Sequence, residues 1–590
     1  MSAKKKYPKD ATTPITELRN ELTIDIDVGT ATDIARTLRQ CDAQIFLGWK
    51  DFPSVLDENT IEAMDKVAEK AKEILRDSSG DKAIVISGCG TSGRLAYFLA
   101  HKFSQLAEAQ QISACYDYLI AGGDIALFTS QEAPEDDWKR GEEDLIHLSR
   151  SKKQVLFIGI TCGLSAPYVA GQLDHCMRHR DTFIPVLLGF NPVHQARKNP
   201  IEQWDKSFFD VANALEDYGK GIILNPVVGP EAITGSSRMK GGSATKILLE
   251  SILLKAHASI SQPRSVLNRL TEILLMYENM YRRTYLSCSS IACAIELAAK
   301  SLKSNGHVFY IGWGLKGFMG LLDASECVPT FSANFDDVRG FIEEGYSTLN
   351  NREGELMLTE SKKLCISLED FQSNFLPELT LHDTVVFILP DNKVVQEVTQ
   401  LIHLIKEKGT QLIGIIFQKE SELSNLFKSC IHVEGNHSSG CINEEGPSTP
   451  ILLTDFLNQC LQEISIKWIL NAISTGAHVL KGKVIRGLMI DVKVSNNKLF
   501  HRAISIVSTF ARVDQKCALH AVLKAIYRRD SIDDVLNLQI SEHVARGTVM
   551  DQVVPVAVLI ATDKFSIASA MEVLRTSTVS HILKSLGLVE

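Results

Sequence analysis

Short apolar runs that end in glycine-rich or polar turns recur along the chain, and each is followed by a longer stretch with helical spacing. The two clearest runs are Lys82–Gly90 (KAIVISGCG) and His307–Gly314 (HVFYIGWG). An apolar run of this length is typical of a parallel strand that is buried on both faces. Strands that alternate with helices predict parallel sheets covered by helices. Further runs of this kind are Val155–Ile160, Ile184–Phe190, Val385–Leu389 and Gln411–Phe417.

The apolar runs belong to two copies of one unit. The segments GTSGRLAYFLA and GLKGFMGLLDA, which begin at Gly90 and Gly314, share two glycines and an alanine at an offset of 224 positions. Two helical segments near the ends of the copies, Lys246–His257 and Lys467–His478, share five residues at an offset of 221. Unrelated α/β segments would not keep so constant an offset, and the chain is therefore predicted to contain a duplication.

The duplication predicts a fold class and a domain organisation. We expect two doubly wound α/β domains with parallel sheets, at about residues 60–290 and 291–500. Residues 1–59 are predicted to be an N-terminal helical segment. Residues 501–590 carry apolar positions at helical spacing and are predicted to form a small all-helical C-terminal domain.

Composition narrows the classes of function. The formal net charge of −9 argues against a nucleic-acid-binding protein, which would normally be basic. The 13 cysteines include no CxxC pair, and no HExxH motif occurs, so we expect reduced thiols and neither a metal nor a cofactor. No run reaches the roughly 18 apolar residues of a membrane span, and no signal-peptide core is recognisable. We therefore expect a cytoplasmic protein, and entry into the nucleus is compatible with the sequence.

The turn Gly88–Arg94 (GCGTSGR) is the first candidate binding site. It follows a predicted strand and opens a predicted helix, so its backbone N–H groups lie at the positive end of a helix dipole, where anions bind. Thr91 and Ser92 add hydroxyl donors, and Gly93 lets the backbone approach a ligand. The turn matches neither a dinucleotide fingerprint nor a Walker A motif. A plain helix N-cap is the alternative, but two hydroxyls among three glycines exceed what capping needs and favour a phosphate site.

A second hydroxyl-rich turn, Ile160–Pro167 (ITCGLSAP), follows the next predicted strand of the same copy and carries Thr161, Gly163 and Ser165. The carboxyl ends of neighbouring parallel strands meet at one edge of a sheet, where ligands bind, so the two turns fit one phosphosugar. The second copy reads GWGLKG and LPDN at the equivalent turns and has lost both hydroxyl sets. One phosphate site per chain is therefore predicted.

A third glycine-rich segment, Gly229–Lys246 (GPEAITGSSRMKGGSATK), precedes a predicted helix. Its polar side chains are able to donate hydrogen bonds to a ligand. A solvated loop with a capped helix start explains the same composition equally well, and both interpretations stay open. The side chains in question are Ser236, Ser237, Arg238 and Lys240.

Four motifs together resemble the sugar isomerase (SIS) family, specifically the bacterial N-acetylmuramic acid 6-phosphate etherases and the fused, glucokinase-regulating proteins of the same family. The motifs are GTSGR, the AGGD…APED stretch of Ala121–Asp136, GPEAITGSSRMKGGSATK, and DASECVPTF of Asp323–Phe331. The resemblance runs from about Thr13 to the C-terminus. It implies two tandem SIS domains followed by a helical lid domain.

The resemblance also implies a fructose phosphate site between the two copies. The residues expected to bind the phosphate are Thr91, Ser92, Thr161, Cys162, Gly163 and Lys483. Those expected to hold sugar hydroxyls are Glu135 of APED and Glu326 of DASEC. Because GTSGR occurs only in the first copy and DASEC only in the second, one composite site is expected, and it must draw on both.

The function implied by the resemblance is a non-catalytic regulator that binds and inhibits glucokinase, with fructose 1-phosphate or fructose 6-phosphate modulating the complex. Two alternatives stay open. The etherase motifs matching Glu135 and Glu326 supply acid/base carboxylates, so an etherase-like lyase is one alternative. The segment His437–Pro450 is polar and proline-broken where related regulators carry an apolar run that meets glucokinase, so a phosphosugar sensor with a different partner is the other.

Overall fold

The structure, a computed structural model, describes residues 13–113, 115–262, 264–356, 362–389, 395–417, 422–434 and 451–588. The first two helices are α1 (Ala31–Leu47) and α2 (Glu58–Leu75). Thr30 and Asp33 form a reciprocal capping box at the start of α1, and Asp57 caps α2, so both helices begin where the sequence offers an N-cap residue. No helix of the described residues is long and apolar enough to cross a membrane.

The first half of the chain folds as a five-stranded parallel sheet with helices on its faces. The strand order is β2-β1-β3-β4-β5. From β1 the chain first adds β2 on one side and then adds β3, β4 and β5 on the other side, so the adjacent strands β1 and β3 form a topological switch point. In chain order the elements are β1 (Lys82–Gly88), α3 (Gly90–Ala109), β2 (Tyr116–Ile120), α4 (Ile125–Phe128), α5 (Trp138–Ser149), β3 (Gln154–Ile160), α6 (Pro167–Arg178), β4 (Phe183–Leu188), α7 (Phe208–Asp217), β5 (Ile222–Leu224), α8 (Lys240–Ser261) and α9 (Leu270–Thr284).

The second half repeats this architecture. Its parallel strands lie in the order β10-β9-β8-β6-β7, which is the order of the first sheet read from the other edge. The duplication predicted from the sequence offset is therefore visible as two sheets of one topology. The elements are α10 (Cys288–Lys303), β6 (Val308–Gly312), α11 (Gly314–Phe331), β7 (Val338–Ile342), α12 (Tyr346–Leu349), α13 (Leu368–Asn374), β8 (Thr384–Ile388), α14 (Val395–Glu407), β9 (Gln411–Ile416), β10 (Ser429–His432) and α15 (Ile451–Leu480).

A two-stranded antiparallel hairpin and six helices complete the chain, and the predicted α/β class with a helical C-terminal domain is confirmed. The first of these helices carries Ile504, Val507 and Phe510 on its buried face, as its spacing predicted. The elements are β11 (Val484–Ile485), β12 (Leu488–Met489), α16 (Asn497–Ala511), α17 (Gln515–Tyr527), α18 (Ile540–Gly547), α19 (Val553–Ile560), α20 (Ile567–Thr576) and α21 (Val579–Ser585).

A buried network of charges joins the two halves where α3, α8 and α15 pack together. Glu463 of α15 accepts from Lys102 Nζ at 2.5 Å and from Lys246 Nζ at 3.2 Å, and Lys246 also pairs with Glu250. All four side chains are at most 2% exposed. Glu250, Cys460 and Glu463 bring possible metal ligands within 4.8 Å of one another. The two lysines already balance the two carboxylates, so the cluster offers a cation no net negative charge.

Candidate functional site

The turn between β1 and α3 is built as the sequence predicted. Gly90 adopts a positive φ of +50°. A Cβ at Gly93 would lie 2.5 Å from Ile120 Cγ1, so only glycine lets the helix approach the sheet this closely. Thr91 Oγ1 is buried and has no hydrogen-bond partner among the described residues, and Ser92 Oγ contacts only the sulfur of Cys162, at 3.8 Å. Ser92 borders one of the cavities described below, whereas the buried Thr91, also expected to bind the phosphate, lines neither of them.

The turn after β3 lies beside the first turn. β1 and β3 are adjacent strands in parallel register, with Gly88 opposite Ile160. Thr161 Oγ1 accepts from the backbone N–H groups of Ser165 at 3.2 Å and Ala166 at 3.4 Å, which leaves its own proton available to donate. The switch point of the first sheet thus brings both hydroxyl-rich turns together, as expected for an anion site.

Two adjoining cavities lie at these turns. The first, of about 50 Å³, is bordered by both turns, by the N-terminal residues Thr16 and Glu17, and by α16. The second, of about 60 Å³, contains Glu326 of the second half. The cavities share Gly235, Ser237, Lys498 and Arg502. The first is lined by Thr16, Glu17, Cys89, Ser92, Glu135, Ile160, Thr161, Cys162, Gly163, Ser165, Ala166, Gly235, Ser237, Lys498 and Arg502.

Glu326 reaches the first turn from α11 of the second half. A Cβ built on Gly90 would lie 3.5 Å from Glu326 Oε1, so the carboxylate stands close to the turn. It forms an ion pair with Arg94, whose guanidinium also donates to the backbone oxygen of Thr129 at 2.8 Å. Arg94 is 1% exposed and Glu326 13% exposed. The carboxylate is thus held in place by a buried cation while its edge borders the second cavity.

Glu135 lies in a short 3-10 turn and is held by a lysine of the C-terminal domain. Both of its carboxylate oxygens lie 2.9 Å from Lys498 Nζ. In the same turn, Glu132 accepts from the side chain of Asn496 at 3.0 Å, and Asp136 accepts from a backbone N–H of α16 at 2.7 Å. Burial, together with the nearby Glu135, raises the pKa of Asp136 to about 6. The acidic turn therefore docks on the start of α16 and fixes Lys498 at the cavity.

Lys498 is the one lysine of the described residues that borders both cavities. Lys483 pairs with Asp491 at 2.7 Å and borders neither cavity, so the structure does not bring it together with the predicted set. Burial alone would lower the pKa of Lys498, but Glu135 and Glu132 together outweigh this effect and the pKa lies above its ordinary value. A signal was present in the sequence, because a lysine in the first turn of a helix opposes the helix dipole. A lysine at such a position therefore indicates a role other than stabilising its own helix.

The third glycine-rich segment is divided between the cavities and the core. Ser237 borders both cavities, and Ser236 and Arg238 border the second. Arg238 is 2% exposed and pairs with Asp323 of the second half at 2.6 Å, and Lys240 Nζ donates to Gln44 at 2.6 Å. The two cations are therefore committed to holding the halves and the N-terminal helix together, and the solvated-loop interpretation is wrong.

Replacing Ser92 by alanine should weaken the binding of a sugar phosphate by about 1–3 kcal/mol, the usual cost of removing a donor to a charged group. Folding should survive, because Ser92 Oγ contributes no helix-capping hydrogen bond. Isothermal titration calorimetry with fructose 1-phosphate and fructose 6-phosphate measures the change. Ser104→Ala, further along the same helix, is the matched control. An unchanged dissociation constant for the Ser92 variant would contradict a phosphate role for this turn.

Comparisons with known proteins match the whole architecture. The family models described as "Glucokinase regulatory protein N-terminal SIS domain", "Glucokinase regulatory protein, second SIS domain" and "C-terminal lid domain of glucokinase regulatory protein" match residues 66–177, 285–481 and 486–583. The glucokinase regulatory protein of Xenopus laevis is 40% identical, over 92% of this chain and 88% of the relative. That of Homo sapiens is 38% identical, over 95% and 90%. N-acetylmuramic acid 6-phosphate etherase 2 of Vibrio cholerae is 32% identical, over 44% and 72%.

Proposed function

Because the chain belongs to the glucokinase regulatory protein family, we propose that it binds and inhibits glucokinase and that a fructose phosphate in the two adjoining cavities modulates the complex. The observation that carries the proposal is the meeting of three parts of the chain at one place. The first half contributes the hydroxyl-rich turns, the second half contributes Glu326, and the C-terminal domain contributes Lys498 and Arg502. These groups suit the two ends of a sugar phosphate, an anion and a set of hydroxyls.

The same arrangement supports a regulatory role. A ligand changes a protein's conformation only if it binds two conformations with unequal affinity. A small molecule that contacts both halves and the C-terminal domain at once is sensitive to their relative position. Fructose 1-phosphate and fructose 6-phosphate are the ligands we propose, and glucokinase is the proposed partner. The alternative of a different partner depends on the polar segment His437–Pro450. That segment lies outside the described residues.

The direct test is to titrate the purified chain against glucokinase activity, alone and with each fructose phosphate. We expect inhibition by the chain, and a shift of the inhibition curve on adding a fructose phosphate. Glucose 1-phosphate, which carries a phosphate on a different sugar, controls for ionic strength. Glucokinase activity that stays unchanged at saturating concentrations of the chain would contradict the proposed partner while leaving sugar phosphate binding open to calorimetry.

Replacing Glu326 by glutamine should weaken fructose phosphate binding about tenfold or more, although Glu326 lies in the other half of the chain from Ser92. The reason is that a carboxylate accepts charge-assisted hydrogen bonds from sugar hydroxyls, and a neutral amide accepts weaker ones. Calorimetry measures both the affinity and the stoichiometry, for which we expect one ligand per chain. Glu296→Gln, an exposed position in the second half, is the control. Two equivalent sites per chain would contradict the composite site.

An etherase-like lyase is the second candidate, because Glu135 and Glu326 both border the cavities. Each carboxylate is already ion-paired, Glu135 with Lys498 and Glu326 with Arg94, and this pairing disfavours proton abstraction by either one. Incubating the chain with N-acetylmuramic acid 6-phosphate and assaying lactate distinguishes the two functions. Steady lactate release that is lost in Glu326→Gln would establish an enzyme.

A further inference from the structure

The first cavity is bordered by an N-terminal segment, residues 13–18, which we call the strap. Few hydrogen bonds hold its backbone. The N–H of Ile15 donates to Gln195 Oε1 at 3.1 Å, and the N–H of Thr16 donates to Asn191 Oδ1 at 3.1 Å. Asn191 Nδ2 in turn donates to Thr16 Oγ1 at 2.9 Å and to the backbone oxygen of Gly163 at 3.0 Å. Through Asn191, the strap is thus attached to the hydroxyl-rich turn after β3.

Ile15 of the strap is buried against Trp49 and Val227, and an ion pair with the C-terminal domain gives the strap a further anchor. The Glu17 carboxylate accepts from Arg502 in three contacts of 2.7, 3.0 and 3.1 Å. The Arg502 side chain is 8% exposed and that of Glu17 is 30% exposed. Burial alone would raise the pKa of Glu17, but the Arg502 guanidinium reverses this effect and holds the pKa below its ordinary value. Both side chains border the first cavity.

The charges of the cavity are already balanced. Its two cations, Lys498 and Arg502, are each engaged by a carboxylate, Glu135 and Glu17. A phosphate dianion that enters must therefore take at least one cation from a carboxylate. Glu135 is 10% exposed and belongs to a turn that neighbouring carboxylates fix on α16, whereas the Glu17 side chain is 30% exposed, so water can solvate its carboxylate. Taking Arg502 from Glu17 therefore costs less free energy than taking Lys498 from Glu135.

The position of the strap also suits a competing role. Thr16 and Glu17 border the first cavity together with Ser92 and Thr161. The strap is a lining segment that can shift without breaking a strand or a long helix, since it contains only one 3-10 turn, Ile15–Glu17.

We propose that Glu17 is an internal competitor for the sugar phosphate: the incoming phosphate takes Arg502 from Glu17, and the strap loses its ion pair with the C-terminal domain. This inference rests on the proposed function, because it assumes a sugar phosphate at the hydroxyl-rich turns. Glu17 then sets the affinity of the site, and the position of the strap reports whether the site is occupied.

Replacing Glu17 by glutamine should tighten the binding of fructose 1-phosphate about tenfold. Glutamine keeps the size of glutamate and its ability to accept from Arg502, but removes the competing charge. Glu21→Gln is the matched control. Glu21 lies shortly after the strap and is 69% exposed, in an ion pair with Lys50, which is 52% exposed. The control should bind the ligand as the wild type does. Calorimetry measures all three proteins, and thermal unfolding verifies that each is folded.

Hydrogen exchange of the wild-type chain gives a second measurement that needs no variant. Adding fructose 1-phosphate should accelerate exchange of the Thr16 amide while protecting the turn at Ser92. If the wild type binds and Glu17→Gln binds equally or more weakly, or if the strap becomes better protected, Glu17 is a positioning residue for Arg502 and the competitor idea is wrong. If the wild type binds neither fructose phosphate, the proposed ligand fails, and the inference fails with it.

Discussion

Replacing Glu463 by glutamine should destabilise the chain by about 3–5 kcal/mol, because it removes one partner from a buried ion network. Glu463 is the acceptor that Lys102 and Lys246 share, and the variant leaves two buried ammonium groups with the single carboxylate of Glu250. Water cannot compensate at this position, since all four side chains lie inside the packed junction of the halves.

Chemical denaturation followed by tryptophan fluorescence measures the loss, and Glu73→Gln is the control. Glu73 pairs with Lys70 on the surface of α2, where removing a charge should change the unfolding midpoint little. A midpoint for Glu463→Gln within error of this control would contradict the importance of the network. A transition that splits into two steps would show that the halves unfold separately in the variant.

The pH dependence of the same experiment has a definite sign. Burial alone would raise the pKa of Glu463, but the two lysines reverse this effect and hold it below the ordinary value. A lowered folded-state pKa contributes stability above the unfolded pKa, and this stability is lost as the pH falls through the folded value. The difference in the free energy of unfolding between the wild type and Glu463→Gln should therefore persist at pH 7 and become smaller only at acidic pH.

Replacing Lys498 by methionine should weaken fructose phosphate binding about 100-fold, or about 2.7 kcal/mol. Methionine keeps most of the side chain's length but removes a cation that borders both cavities. The variant also leaves Glu135 without its partner, beside Asp136, and these charges repel an incoming phosphate. Thermal unfolding verifies that the variant is folded, which is needed because Glu135, 10% exposed, loses its ion-pair partner.

Lys516→Met is a closely matched control for Lys498→Met. Lys516 is the second residue of α17, as Lys498 is of α16, but it is exposed and distant from both cavities. The control variant should bind the ligand as the wild type does. Calorimetry with fructose 1-phosphate decides between the outcomes. A loss below threefold for Lys498→Met would mean that the lysine serves only to dock the C-terminal domain on the acidic turn.

The architecture could be predicted because its signals are local. Runs such as Lys82–Gly88 combine an apolar strand with a glycine turn, and the constant offset revealed the second copy. The strands of the two parallel sheets that went unpredicted were β2, β5, β7 and β10, and the hairpin of β11 and β12 was not predicted either. Two of them, Ile222–Leu224 and Ser429–His432, have three and four residues and lie at sheet edges, which is too short for any periodicity to register.

The candidate site was predictable only in part. The two turns of the first half follow from strand topology, and Glu326 followed from its motif. Glu17, Lys498 and Arg502 lie in segments without repeat or motif, and they reach the cavities only through the docking of distant elements. Lys483 illustrates the difficulty, because nothing local distinguishes a lysine that faces a ligand from one that pairs with a nearby aspartate.

The second half ends its first strand in GWGLKG, a turn without hydroxyls, and this asymmetry limits how the chain can respond to the proposed ligand. A homodimer of intact units would carry two equivalent sites and would be able to produce a sigmoidal dose–response. A fused chain with the one proposed site would have no second site to couple to. Under the proposed function, the inhibition curve should follow a simple hyperbola with a Hill coefficient of one, so that inhibition changes gradually with ligand concentration rather than at a threshold.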